Sequence, residues 1–401
     1  MRSRVAITGM GIISAIGSTV EENFDALVSK RPGISFLENF SSRHASEIKV
    51  GEIKRTNEEL QQLLGLPAEN TFTRTSMLGA YAAAQAVKAA GIKDLNDVRA
   101  GLISSTSVGG MDFTEKHYRQ YLNHPEFQKY IESHHAGDSS NKIAHYLGLK
   151  GFVSTISTAC SSAANAIMLG AGMIEQGYLD RVVVGGTDAL SKFTVNGFKT
   201  LMILSDADNM PFDQERKGLN LGEAAAYLVL ESDEVVKREK REVLAYVAGY
   251  GNANDAYHQT ASSENGEGAY LAMKEAFEKA GIEPHEIGYV NAHGTATPNN
   301  DLSEGRALLR IFDKVPAFSS TKAFTGHTLA AAAAVEAVYS VLALQRGIVF
   351  PNLNFRRPME EFNLIPQTEP VLKELKYVLS NSFGFGGNCS TLIFSKTGTH
   401  E

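Results

Sequence analysis

The sequence predicts an α/β fold built from two related halves, and three observations point to it. Short apolar runs bounded by glycine alternate with longer helical patterns, two Ala-rich stretches repeat one strand-turn-helix pattern, and a second pair of segments repeats at nearly the same offset. The apolar runs at residues 5–8, 101–104, 181–184, 226–230, 289–291 and 391–394 are read as strands. Between them, residues 75–90 and 271–280 carry helical patterns that stop at Gly91 and Gly281, where glycine ends a helix by taking the left-handed conformation.

The stretch I-S-T-A-C-S-S-A-A-N-A-I (156–167), running on to Gly177, resembles S-T-K-A-F-T-G-H-T (320–328), running on to Gly347. Each reads as a strand, a polar turn and a long Ala-rich helix, and Cys160 and His327 are 167 positions apart. A second pair, G-E-A-A-A-Y-L-V-L from Gly222 and G-G-N-C-S-T-L-I-F from Gly386, is offset by 164. The break falls near the charged stretch 234–242, giving one half at 1–238 with Cys160 and another at 239–401 with His293 and His327. Helices so rich in Ala and Gly suit close packing between sheets.

With 401 residues, 43% hydrophobic and 21% charged, the chain has material for a large core. A net charge of −7 without any basic run argues against a nucleic-acid partner. Gly9, Gly11 and Ser14 interrupt the apolar start, which reads as strand and turn, not an export signal. No apolar run approaches the roughly 20 residues of a membrane helix, so the expected location is cytoplasmic, without a membrane partner. Two cysteines, Cys160 and Cys389, are expected as free thiols and form no zinc framework. Residues 9–14 place Ser14 where a dinucleotide fingerprint needs its third glycine, and 205–209 lack the glycine and distant glutamate of a calcium loop. No cofactor or metal is expected.

Cys160 follows the apolar run 152–156 and precedes a helical pattern, which puts its sulfur near a helix N-terminus. Unpaired N–H groups there favour a thiolate and can hold an oxyanion, whereas a buried, inert cysteine is the alternative. His293, in Y-V-N-A-H-G-T (289–295), follows a short strand, and His327, in F-T-G-H-T (324–328), is the repeat's counterpart of Cys160. If the halves pack with twofold pseudosymmetry, these helix starts converge. Lys322 lies five residues before His327 in a partly buried polar turn, with Glu336 on the following helix as its ion-pair partner. In N-S-F-G-F-G-G-N-C-S (381–390), Phe383 and Phe385 between glycines read as an apolar lid.

Taken in order, these motifs resemble those of the β-ketoacyl-acyl carrier protein synthases. They are V-A-I-T-G-M-G-I-I-S, T-A-C-S-S, P-F-D-Q-E-R-K-G-L-N-L-G-E, N-A-H-G-T-A-T-P-N-N-D, S-T-K-A-F-T-G-H and N-S-F-G-F-G-G, and they span nearly the whole chain. The resemblance implies a thiolase-like fold with duplicated βαβαβαββ halves in five layers, α-β-α-β-α, in a homodimer. It implies Cys160 as nucleophile, His293 and His327 as the paired histidines, Lys322 and Glu336 beside them, and Phe383 and Phe385 on a gating loop. Val108 and Phe198 are implied as acyl-pocket residues, and the N–H groups of Cys160 and Phe385 as oxyanion donors. The implied partner is an acyl carrier protein bearing acyl and malonyl thioesters. Because such carriers are acidic, a basic patch is required, with Arg74 and Lys199 as its candidates. The chain reads G-G-N-C at 386–389 and G-E-A-A at 222–225, where many relatives read G-G-T-N and G-E-G-A. A non-decarboxylating thiolase and a non-catalytic chain-length partner are the alternatives.

Overall fold

The computed structural model describes residues 4–396. Its first half runs β1 (Val5–Ile13), α1 (Arg74–Ala89), β2 (Ala100–Ser105), α2 (Ala136–Tyr146), β3 (Phe152–Ile156), α3 (Ser162–Glu175), β4 (Arg181–Asp188) and β5 (Ala224–Ser232). The second runs β6 (Ala245–Asn254), α4 (Glu267–Ala280), β7 (Ile287–Asn291), α5 (Pro298–Ile311), β8 (Ala317–Ser319), α6 (Ala332–Arg346), β9 (Tyr377–Gly384) and β10 (Asn388–Ser395). Both halves follow βαβαβαββ. They also share one spatial strand order, β3-β2-β4-β5-β1 in the first and β8-β7-β9-β10-β6 in the second. In each, the first two pairings are parallel and the last two antiparallel.

Side-chain alternation along the strands sorts the core into layers. Val182, Val184, Leu228 and Leu230 of the first half join Val378, Leu392 and Phe394 of the second in one core around α3 and α6. Their neighbours Val183, Tyr227 and Val229 turn outward to α1 and α2, while Leu379 and Ile393 turn outward to α4. The result is helix, sheet, helix, sheet, helix, as expected for a thiolase-like fold. The two sheets are also joined at an edge, where Ala6 faces Tyr246 and Ile7 faces Ala245, making ten continuous strands.

The glycines of V-A-I-T-G-M-G have a packing role. A Cβ on Gly9 or Gly11 would lie 2.3 Å from the Ala86 carbonyl and 2.2 Å from that of Ala82 on α1. The second half uses the same device, with Gly249 and Gly251 of β6 against the Ala276 and Ala272 carbonyls of α4 at 2.4 and 2.2 Å. Several elements are longer than the sequence suggested. β1 continues through its glycines to Ile13 because both of its faces are buried, and α4 begins at Glu267, where Gly266 at φ 63° allows the chain to turn in. The segment Leu329–Arg346 is apolar and long enough to cross a membrane by composition, contrary to the expectation from the sequence. It is nonetheless a core helix, 89% buried between the sheets.

Candidate active site

Functional side chains gather beyond the C-terminal ends of the parallel strands, where open α/β sheets bind ligands. Cys160 lies between β3 and α3, just before the helix N-cap Ser161, and the preceding Ala159 has φ 52°, a left-handed conformation costly for alanine. This bend sets the thiol at the foot of α3. Cys160, Phe198, His293, His327, Phe383, Phe385 and Cys389 all line one cavity of about 310 Å³.

The electrostatics correct one expectation. Burial pushes the Cys160 thiol up to about 12, Lys322 pulls it back, Asp188 raises it further, and the N–H groups of Phe385 and Cys160 favour the thiolate. The amides at the helix start therefore offset desolvation without overcoming it. Those same two amides, aimed at the sulfur, have the geometry of a paired oxyanion donor. Cys389 is also pushed up by burial, and the charges of Asp255 and Glu304 add to the rise.

His293 and His327 stand edge to face with ring centroids 5.4 Å apart, and Phe383 lies 5.4 Å from His293. Burial and the nearby Lys322 hold both imidazoles well below the usual histidine range, so they are neutral. Nδ1 of His327 accepts the Leu329 N–H at 3.2 Å, and Nδ1 of His293 lies 3.3 Å from Lys322 Nζ. Both contacts assign the proton to Nε2, leaving each ring one outward donor. Such a pair can stabilise a developing oxyanion without protonating it.

Lys322 is almost fully buried, more so than the partly buried turn expected. Its amine donates to the His293 carbonyl at 2.7 Å and pairs with Glu336, which also accepts from Ser382 Oγ at 3.3 Å. Phe385, on the three-residue turn joining β9 to β10, stacks on Phe198 with centroids 6.1 Å apart and planes at 20°. Val108 does not line this cavity. It packs instead in an apolar cluster with Leu190, Val195 and Leu219, and Phe198, Ile203 and Leu219 border both that cluster and the cavity.

The basic-patch expectation is corrected at Arg74. Its guanidinium is buried against Glu223 at 2.6 and 2.9 Å and also donates to the carbonyls of Ile53 and Arg55, so it is a core ion pair. Lys199 is exposed on the helix Lys192–Thr200, 3.6 Å from Glu47.

Glu304 and Asp301 were not anticipated from the sequence. The Glu304 carboxylate accepts the N–H of His293 at 2.9 Å and of Gly294 at 2.8 Å, and Asp301 accepts the Ala296 N–H at 3.1 Å. Two acids three residues apart at the start of α5, directly after H-G-T-A-T-P, are the signal that marks them. Asn388 Oδ1 likewise accepts from Ser161 Oγ at 2.6 Å and Asn165 Nδ2 at 2.9 Å, tying the foot of the aromatic turn to the start of α3.

Two family models match the chain, the β-ketoacyl synthase N-terminal domain over residues 2–235 and the β-ketoacyl synthase C-terminal domain over 244–356. The 3-oxoacyl-(acyl-carrier-protein) synthase 2 of Vibrio cholerae is 32% identical over 98% of this chain and 99% of that protein. Among solved structures, the ishigamide ketosynthase/chain length factor is similar with a TM-score of 0.93 and 30% identity, over 99% of this chain and 100% of that one. A type II polyketide synthase acyl-carrier protein in complex with its ketosynthase bound to the hexaketide gives a TM-score of 0.90 and 25% identity, over 99% and 100%.

Proposed function

The chain belongs to the β-ketoacyl synthase family, and from that premise we propose how Cys160, His293 and His327 divide a decarboxylating condensation between them. The enzyme is an acyltransferase of the 3-oxoacyl-(acyl-carrier-protein) synthase type, elongating acyl chains in fatty acid or related polyene and polyketide synthesis. In the first half-reaction the Cys160 sulfur attacks the carbonyl of an acyl-carrier thioester. The oxyanion is held by the Cys160 and Phe385 amides, and the thiol's proton leaves with the carrier thiolate.

In the second half-reaction a malonyl-carrier thioester enters the same cavity. His293 and His327 donate their Nε2 protons as hydrogen bonds to its thioester oxygen, and carbon dioxide departs to leave an enolate. The enolate carbon attacks acyl-Cys160, forming the carbon–carbon bond and releasing the Cys160 thiolate, which regains a proton from solvent. The convergence of Cys160, His293 and His327 on one cavity, the two imidazoles 5.4 Å apart with their Nε2 donors outward, is the observation that carries this reading, because an enolate oxygen needs donors that stabilise it without protonating it. Phe385, stacked on Phe198, gates passage toward Val108.

A thiolase reading needs a second cysteine as base. Cys389 lines the cavity, but its acidic neighbours oppose a thiolate there. A non-catalytic chain-length partner would not need Cys160. The acidic carrier is proposed to contact Lys199 beside Phe198. The boundary between the halves is proposed at residues 238–239. A homodimer is supported by the edge strand β3, which among the described residues pairs only with β2 and exposes Phe152, whereas the opposite edge β8 is covered where Gln367 N–H donates to the Phe318 carbonyl. We place the reaction in the cytoplasm, where a free Cys160 stays reduced. The test is intact-protein mass spectrometry after incubation with acyl-carrier thioesters of graded length. An acyl adduct mapping to Cys160 is expected, and no adduct with any primer would overturn the assignment.

A further inference from the structure

Asp188 ends β4 and is fully buried, and none of the chemistry above uses it. Its carboxylate gathers five donors from two separate segments. From the loop after β2 come the hydroxyls of Thr106 and Ser107 and the N–H groups of Ser107 at 3.1 Å and Val108 at 3.2 Å. From the turn after His327 comes the Ala330 N–H at 2.9 Å. Three of these donors are backbone amides, which cannot reverse their role, so the site fits an ionised carboxylate. Burial pushes the carboxyl up, and the same donors hold it down.

The two segments do different work. The first carries Val108 into the apolar cluster beyond Phe198. The second carries His327, whose Nδ1 accepts from Leu329, a residue at φ 54° immediately before Ala330. Gly186, two residues before Asp188, brings the turn within reach, since a Cβ there would lie 2.9 Å from the Ala330 carbonyl. The halves of the molecule thus meet on one carboxylate.

We infer that Asp188 is a positioning residue that locks the acyl-pocket wall at Thr106–Val108 and the His327 turn into one unit, coupling acyl-chain accommodation to enolate stabilisation. The inference rests on the condensing reading above. Loss of the carboxylate is felt at both segments because both hang on a single rigid acceptor whose hydrogen bonds are charge-assisted and shielded from water. The charge of Asp188 also raises the Cys160 thiol, opposing the effect of Lys322.

The experiment compares wild type, Asp188→Asn and Thr106→Val/Ser107→Ala. The measurements are labelled carbon dioxide release from malonyl-carrier thioester, kcat and KM for loading of short and long acyl-carrier primers, and the pH midpoint of Cys160 alkylation. Asp188→Asn places an amide NH₂ against backbone donors. It is expected to lower decarboxylation and long-primer preference together, each on the order of tenfold, as misplacement of a reacting geometry does. It is also expected to move the alkylation midpoint down, a shift that loss of packing alone does not produce. Thr106→Val/Ser107→Ala keeps the carboxylate on Ala330, so it should change primer preference through KM and leave decarboxylation within about twofold, below one 1.4 kcal/mol step. Inactive wild type would defeat the condensing reading itself. Active wild type with Asp188→Asn changed in only one of the two activities, or in neither, would overturn the coupling. Should Asp188→Asn fail to fold, unchanged primer preference in the double variant overturns it.

Discussion

The side-chain amine of Lys322 donates to the backbone carbonyl of His293 at 2.7 Å, so the lysine holds the loop on which that histidine is mounted. Its charge is matched by Glu336 in a pocket closed to water. Removing one member of such a buried pair leaves the other uncompensated, which typically costs about 3–5 kcal/mol. Glu336→Gln should therefore lower the unfolding free energy by that much, read as a lower denaturant midpoint at an unchanged slope. A loss below about 1 kcal/mol, the scale of an exposed pair, would show that the pair is not sealed.

The two half-reactions should separate by mutation. Cys160→Ala removes the acyl acceptor and should abolish condensation while leaving measurable malonyl-carrier decarboxylation, because no covalent step on sulfur is needed to expel carbon dioxide. His293→Ala should retain acyl loading of Cys160 and lose about 100-fold or more in decarboxylation, the scale of one oxyanion donor. Carbon dioxide release and adduct mass score both variants. A Cys160→Ala protein that still made β-ketoacyl product would end the proposed mechanism.

Decarboxylation should respond to pH through Glu304 in place of the histidines. Burial raises the Glu304 carboxyl to about 7, against the hydrogen bonds from Gly294, His293 and Asn381. Above that pH the carboxylate accepts the His293 and Gly294 amides. As pH falls through 7 it takes up a proton and one acceptor position is lost, so the rate should fall on the acid side with a midpoint near 7. The imidazoles, held well below their usual range, stay neutral across the same window. Glu304→Gln should flatten the profile between about pH 6 and 8, where ordinary carboxylates do not titrate. A midpoint that survives this substitution assigns the titration elsewhere.

Much of this arrangement was legible because its signals are local. The 164-residue offset between Gly222 and Gly386 reappears as the equivalence of β5 and β10, and Cys160 and His327 each follow the third strand of their half. The pairing of Gly9–Gly11 with Gly249–Gly251 escaped notice because their offset, 240, is much larger than 164. Segments between those glycines and Cys160, at residues 14–73 and 106–135, lengthen the first half relative to the second. Burial was the other hidden quantity. Arg74 reads as a surface cation until Glu223, far away in sequence, is seen to enclose it. The Cys160 thiol likewise reads as activated by its helix until desolvation is weighed. Both depend on which distant groups exclude water, and sequence spacing does not carry that information.

Alkylation should still favour Cys160 over Cys389. Both thiols are raised by burial, but Lys322 and two amides favour the Cys160 thiolate, while Asp255 and Glu304 oppose that of Cys389. With the Cys160 thiol raised to about 12, its thiolate fraction and labelling rate should climb about tenfold per pH unit from 7 to 9. Peptide mapping after limiting iodoacetamide measures this. Faster labelling of Cys389, or a plateau below pH 8, would contradict the electrostatics described.

Chain-length selection should be separable from decarboxylation at Val108. This residue packs with Leu190, Val195 and Leu219 in an apolar cluster that shares Phe198 with the cavity, and Val108 does not itself line that cavity. Val108→Phe adds ring volume to an apolar space that an acyl chain must share, and overpacking of that kind costs about 1–3 kcal/mol. The cost falls only on primers long enough to pass the stacked rings. Loading of long acyl-carrier primers should therefore drop by about tenfold or more, with short primers and carbon dioxide release nearly unchanged, because 1.4 kcal/mol corresponds to a factor of ten. Phe198→Ala tests the same path from the other side. It removes one of the stacked rings, so it should speed loading of long primers relative to short ones. Equal losses for short and long primers in Val108→Phe would place Val108 outside the acyl path and leave its apolar cluster as core alone.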